Sequence, residues 1–192
     1  MTLHPGTLNA EGVLVHAHRA VLALGGNLGH RFDNMQAALD ALVDTPGLDV
    51  EAISPVYETE PFGGPAASPD SLDLSAQPKY LNAVAVVSTD LPPHTLLERA
   101  QAIEDALDRV RDTRWGARTI DVDIVAYDDL ISHDATLTVP HPRAHERAFV
   151  LVPWIDVEPE AKLPGRGPIA VLLGALGPVS GVERRDDLAL QL

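Results

Sequence analysis

The periodic segments of this chain run strand, helix, strand, strand, helix, strand. That order predicts an α+β fold: a ferredoxin-like βαββαβ core with a mainly antiparallel four-stranded sheet, helices packed on it, and short helices towards the C-terminus. Three observations carry the expectation. Two segments, 32–42 and 96–110, repeat apolar residues at helical spacing. Four others are short apolar runs or alternate with period two. Glycine, proline and asparagine punctuate the gaps.

Residues 1–18 show no clear period and are expected to form a flexible N-terminal extension. His16 and His18 there fit an incidental pair better than a metal site. The domain itself is expected over 19–178. Its first strand is the apolar run 20–24, which ends in Gly25-Gly26-Asn27. A helix follows, with Phe32, Met35, Ala38, Leu39 and Leu42 in one stripe, and Pro46-Gly47 closes it. A second strand is expected over 50–57, then a long loop over 58–78, rich in Pro, Gly, Ser and Asp. The segment 80–87 alternates: Tyr80, Asn82, Val84 and Val86 on one face, Leu81, Ala83, Ala85 and Val87 on the other. Pro92-Pro93 opens a second helix, striped by Leu96, Leu97, Ala100, Ile103, Leu107 and Val110. The last core strand is expected over 119–127. Beyond it, 137–141 reads as a short extended piece and 148–155 and 169–176 as short helices. A polar tail, 179–192, is expected to fray.

Composition bounds the function. The chain has 192 residues, 45% of them hydrophobic, enough for one domain with a real core. The absence of cysteine excludes disulfide and thiolate chemistry. No apolar run approaches a membrane span and no charged-then-apolar leader opens the chain, so a cytoplasmic protein with no membrane contact is expected. A net charge of −14 argues against a general nucleic-acid binder. It leaves room for a small anionic ligand, because Arg109, Arg111, Arg114 and Arg118 cluster. No large apolar patch demands a partner, so a monomer is expected.

The most informative stretch is RWGARTIDVDIVAY, from Arg114 to Tyr127. In a strand, Asp121 and Asp123 share one face about 7 Å apart, while Ile120, Val122 and Ile124 take the other. Adjacent carboxylates repel unless a cation lies between them. Hard oxygen ligands beside arginines suit Mg²⁺ carrying a polyphosphate. A solvated acidic face is the plainer reading of the same residues. Glu104 falls within the apolar stripe of its helix, so it either snorkels to water or aims at a site. Gln101 and Arg111 make that helix end polar. Asn82 offers a donor and an acceptor, suited to a heterocyclic edge. Phe149 is core or a stacking plate in a chain with 4% aromatics. Trp115, next to a glycine in a basic loop, suits a lid. His141 and Arg147 suit phosphate or a structural role. No Walker loop, GxGxxG fingerprint, Asp-Phe-Gly, Gly-x-Ser-x-Gly or HExxH occurs.

From 20 to 176 the chain resembles the 6-hydroxymethyl-7,8-dihydropterin pyrophosphokinases. The resemblance rests on RWGARTIDVDIV, supported by LGGNLG from Leu24, YETEP from Tyr57, QPKYLNA from Gln77, LTVPHP from Leu137 and RAF from Arg147. It implies pyrophosphate transfer from ATP to the hydroxymethyl group of a reduced pterin in folate biosynthesis, with AMP released. It implies that Asp121 and Asp123 hold two Mg²⁺ ions and that Arg109 and Arg118 stabilise the transferring group. Gln101, Glu104, Arg111, Arg114, Trp115, Arg118, Ile124, Thr138, His141 and Arg147 are implied on the ATP side. Thr59, Pro61, Phe62, Tyr80, Asn82 and Phe149 are implied around the pterin. The family usually has Gly-Ser-Asn where this chain has Gly25-Gly26-Asn27, a change expected to matter little. The segment from Gly63 to Gln77 is longer than in many members, and 1–18 matches nothing in the family.

Overall fold

A computed structural model of the chain describes the backbone of 7–8 and 14–15, and residues 18–61, 77–107 and 119–192. In chain order the elements are β1 (Thr7–Leu8), β2 (Leu14–Val15), β3 (His18–Gly26), α1 (Arg31–Val43), β4 (Leu48–Ile53), β5 (Tyr57–Thr59) and β6 (Tyr80–Thr89). There follow α2 (Pro93–Ala106), β7 (Asp121–Tyr127), β8 (Ser132–His133), β9 (Thr138–Val139), α3 (Ala148–Val157), β10 (Lys162–Leu163), β11 (Gly167–Pro168), α4 (Ile169–Leu176) and β12 (Val182–Arg184). The βαββαβ core is β3-α1-β4-β6-α2-β7. In the sheet β3 lies between β6 and β7, and β4 pairs with β6, every pair antiparallel. The ferredoxin-like expectation holds.

The sheet has two covered faces. Leu22 and Leu24 of β3, Leu81 and Ala85 of β6, and Val122 and Ile124 of β7 pack under Met35 and Leu42 of α1 and Leu96 and Ile103 of α2. Val21, Val84, Val125 and Ala126 point the other way, beneath Val150, Leu151 and Trp154 of α3 and Ile169 of α4. The alternation of strand side chains therefore has an apolar partner on each side. One irregularity sets the phase. Between Val21 and Leu22 the β3–β7 register slips, so that Ala126 and then Ile124 are paired and Val125 is extra. This bulge lets Val125 and Ala126 face α3 together and returns Ile124, Val122 and Ile120 to the α1–α2 face. Asp121 and Asp123 consequently share the α3 face.

Three expectations are corrected. The strand expected over 50–57 is two strands, because Pro55 has no N–H to donate. Ser54 bridges the break: its backbone N donates to Val84 O at 2.9 Å, and its hydroxyl accepts from Val84 N at 2.9 Å. The four core strands lie in a sheet of six, because β5 pairs with β6 beyond β4 and β12 pairs with β5. Beyond Gly177 the tail does not fray. Val182–Arg184 forms β12, and the Gln191 backbone N donates to Gln36 of α1 at 2.9 Å. At the other end, His18 opens β3 and bonds Asp128 at 2.7 Å, whereas His16 lies outside the described residues.

Candidate functional site

Tyr57, Asn82, Gly25 and Asp121 stand opposite one another across β5, β6, β3 and β7. Antiparallel partners point to the same face. One step along the sheet come Val84, Ala23 and Asp123, and in the other direction Thr59 faces Tyr80. Gly25 carries no side chain between Asn82 and Asp121. A Cβ there would stand 3.0 Å from Asn82 Oδ1, so the floor between the two polar groups is open because residue 25 is glycine. Its neighbour Gly26 matters more than expected. A Cβ on Gly26 would come 2.2 Å from the backbone oxygen of Thr119, so the missing side chain is what lets the entry to β7 close on β3.

On the side away from β7, Asn82 Nδ2 donates to Thr59 Oγ1 at 2.8 Å, and both residues are buried. That bond fixes which way the carboxamide turns. Tyr80 and Pro61 are half-buried nearby along the strands. The Tyr57 hydroxyl donates to Asp156 of α3. Burial and then that carboxylate push its pKa up to about 12, so it remains a donor. Phe149, in the first turn of α3, packs against the second core cluster while staying part-exposed, and the Arg147 guanidinium lies 5.7 Å from its ring centroid.

A second group follows the outer edge of β7. Glu104 of α2 does not snorkel to water. It is 2% exposed, and its Oε1 accepts the backbone N–H of Val122 at 2.8 Å. Val122 lies between the two aspartates, so Glu104 braces the peptide that carries both. His141, which follows β9, donates its backbone N–H to Val125 O at 2.9 Å. Its Nδ1 accepts from the Arg143 backbone N at 3.2 Å, and Nε2 lies 3.3 Å from Arg147 Nη1. Burial, then the Arg147 charge, depress its pKa to about 4. The imidazole is therefore neutral at pH 7. The Arg147 guanidinium is the charged donor of the pair and suits an anionic oxygen. Arg147 Nη1 also stands 3.6 Å from Asp123 Oδ2.

The structure thus brings Asn82, Thr59, Tyr80, Phe149, Arg147, Asp121 and Asp123 to one face, with Glu104, Thr138 and His141 along the β7 edge. It does not bring Gln101 or Ile124 to the aspartate face: Gln101 is exposed on α2, and Ile124 is buried in the α1–α2 core. Phe62, Arg109, Arg111, Arg114, Trp115 and Arg118 lie outside the described residues. Among the described residues no group of three or more His, Cys, Asp or Glu clusters to hold a metal. Two part-exposed carboxylates on one face still fit Mg²⁺, which takes one or two carboxylates and completes its shell with water and phosphate. Sequence reasoning missed Asn27. It is 1% exposed, and its Nδ2 donates to Pro78 O at 3.1 Å, tying the first turn to the entry of β6. A polar residue directly after a Gly-Gly turn was the available signal.

Fold and site together define a class: a ferredoxin-like domain with two carboxylates and an arginine at one end of one sheet face. Residues 21–159 match the family profile described as 7,8-dihydro-6-hydroxymethylpterin-pyrophosphokinase. Three relatives bear the name 2-amino-4-hydroxy-6-hydroxymethyldihydropteridine pyrophosphokinase. That of Methylorubrum extorquens is 40% identical over 86% of this chain and 98% of its own length. That of Pseudomonas aeruginosa is 41% identical over 86% and 96%. That of Mycobacterium tuberculosis is 39% identical over 83% and 85%. The chain belongs to this pyrophosphokinase family. Among solved structures it resembles Plasmodium falciparum HPPK-DHPS with pteroate, at a TM-score of 0.65, 15% identity and 87% of this chain. It also resembles the wild type with SDX-DHP, at 0.60, 17% and 82%. The chain spans 47% and 44% of those two chains, and at such identities the likeness shows the fold. Among the described residues no helix is long and apolar enough to cross a membrane.

Proposed function

We propose that this chain transfers pyrophosphate from ATP to the hydroxymethyl group of 6-hydroxymethyl-7,8-dihydropterin, releasing AMP, as a cytoplasmic, monomeric enzyme of folate biosynthesis. The observation that carries the reading is the two-sidedness of the site. Asp121 and Asp123 lie on β7 with Thr59, Asn82 and Phe149 towards β5, β6 and α3, and with His141 and Arg147 on the other side. Release of AMP requires the pterin oxygen to attack the β-phosphorus while the bond to the α-phosphate oxygen breaks. The two reactants must then meet in line over the aspartates.

Each side chain has a part in this. Asn82, held by Thr59, reads the amide edge of the pterin. Phe149 offers a ring face and Tyr80 a rim, with Pro61 and Phe62 completing the pocket. Asp121 and Asp123 hold two Mg²⁺ ions, whose chemistry is to neutralise the triphosphate charge. Glu104 keeps the peptide between the aspartates in place. His141 stays uncharged beside Arg147, which supplies charge while orienting Asp123. Thr138, Arg111, Arg114 and Trp115 complete the ATP side, and Arg109 and Arg118 stabilise the transferring group. No side chain is assigned as general base. We take residues 19–178 as the catalytic unit, joined by His18 through β3, 1–17 as an extension, and 179–192 as a polar tail held to the unit by β12.

The test is product identity after incubation with Mg-ATP and the pterin alcohol. AMP with a pyrophosphorylated pterin supports the reading. ADP means ordinary kinase chemistry, inorganic phosphate a hydrolase, and no product a binding module. Light scattering that gives a dimer mass would overturn the monomer.

A further inference from the structure

We propose that the C-terminal strand β12 is a positioning element of the pterin side, acting through Arg184 and Arg185 on β5. This deepens the proposed function and rests on Thr59 and Asn82 serving the pterin. β5 is three residues long, too short to define its own place in a sheet. β6 holds one of its edges and β12 the other, with Val182 opposite Thr59 and Arg184 opposite Tyr57. The Arg185 backbone N extends the grip, donating to Val56 O at 2.8 Å.

The side chains fix β5 from both ends. Arg185 Nη1 lies 3.2 Å from Glu58 Oε1, and Arg31 Nη1 of α1 holds the same oxygen at 2.9 Å. Arg31 Nη1 also donates to Lys79 O at 2.7 Å, immediately before Tyr80. Glu58 therefore ties the tail, the first helix and the entry of β6 to one point. Arg184 Nη1 lies 3.6 Å from Asp156 Oδ2, the oxygen that accepts the Tyr57 hydroxyl. These pairs are partly screened by solvent, so they add little to global stability. Their consequence is geometric: they set where Thr59 Oγ1 stands, and Thr59 sets the rotation of the Asn82 carboxamide. A heterocycle read through one carboxamide is sensitive to that rotation.

The double variant Arg184→Ala/Arg185→Ala, made in the full chain, tests this. The KM for the pterin alcohol should rise about tenfold while the KM for Mg-ATP and kcat stay within about twofold. Arg184→Lys/Arg185→Lys should recover most of the loss, and Gln36→Ala, which removes the side chain that holds the Gln191 backbone away from β5, should change neither constant. An unchanged pterin KM in the folded double variant overturns the proposal. So does a parallel rise in both KM values with a lowered melting temperature and no rescue by lysine. Should the double variant not fold, Arg185→Ala alone, which leaves Arg31 on Glu58, decides by the same two constants. Wild-type protein that makes AMP while the variants bind pterin normally removes β12 alone. Wild-type protein that binds no pterin removes both readings.

Discussion

At the scale of single residues, Asp123 is where strand and arginine meet, at the proposed metal site. Asp123→Ala should abolish turnover in the AMP assay and leave the far-UV spectrum unchanged, because its part-exposed pair with Arg147 is worth under about 1 kcal/mol. Retained activity would sink the metal role. Gly26→Ser restores the residue usual in the family, yet should destabilise this chain, since its Cβ must displace the backbone of Thr119. A urea titration in which Gly26→Ser equals wild type would contradict the close approach. His141 makes a pH prediction. Its folded pKa, about 4, lies below the ordinary value of 6.5, so the unfolded chain takes up a proton first as pH falls. Its contribution to stability is complete above pH 6.5 and is lost as pH drops towards 4. His141→Gln should flatten that part of the stability–pH curve. The aspartate pair and Asn82 were legible in the sequence because i and i+2 parity is rigid in a strand. The role of Glu104 was not, because its partner is a backbone N–H and no side-chain pattern reports one.

At the scale of elements, the two long helices and four core strands were legible because each buries one periodic stripe against the sheet. The break between β4 and β5 was harder to read, since apolar alternation runs on through Val50, Ala52 and Val56 past Pro55. Ser54→Ala tests how that break is held. It leaves the backbone N–H of the fully buried Val84 without the Ser54 hydroxyl, and should cost about 1–3 kcal/mol by chemical denaturation. β12 was illegible for a different reason. Its Val-Glu-Arg is polar, and it is held by ion pairs and a ladder instead of by burial. The Val125 bulge likewise leaves no mark in a pattern of apolar letters, although it decides which face α3 shares with the aspartates.

At the scale of the whole molecule, the site draws on β3, β5, β6, β7 and α3, so ligand binding should be felt globally. Mg-ATP should raise the melting temperature with saturating dependence on concentration, and chelation of the metal should remove most of that rise. A shift that survives chelation would mean ATP binds without the aspartates. The sheet topology has one more consequence, for how the chain is made. β3 is the first strand of the core and sits at its centre, yet the partners of Gly25 are Asn82 and Asp121, from much later in the chain. A growing polypeptide emerging from the ribosome holds its central strand unpaired until β6 appears, and cannot close the second edge until β7 follows. During that interval Val21, Leu22 and Leu24, all later buried, are open to solvent and to other chains. Synthesis is therefore the most hazardous period for this protein, and a chaperone that shields short apolar strands would matter to its yield more than to its finished stability.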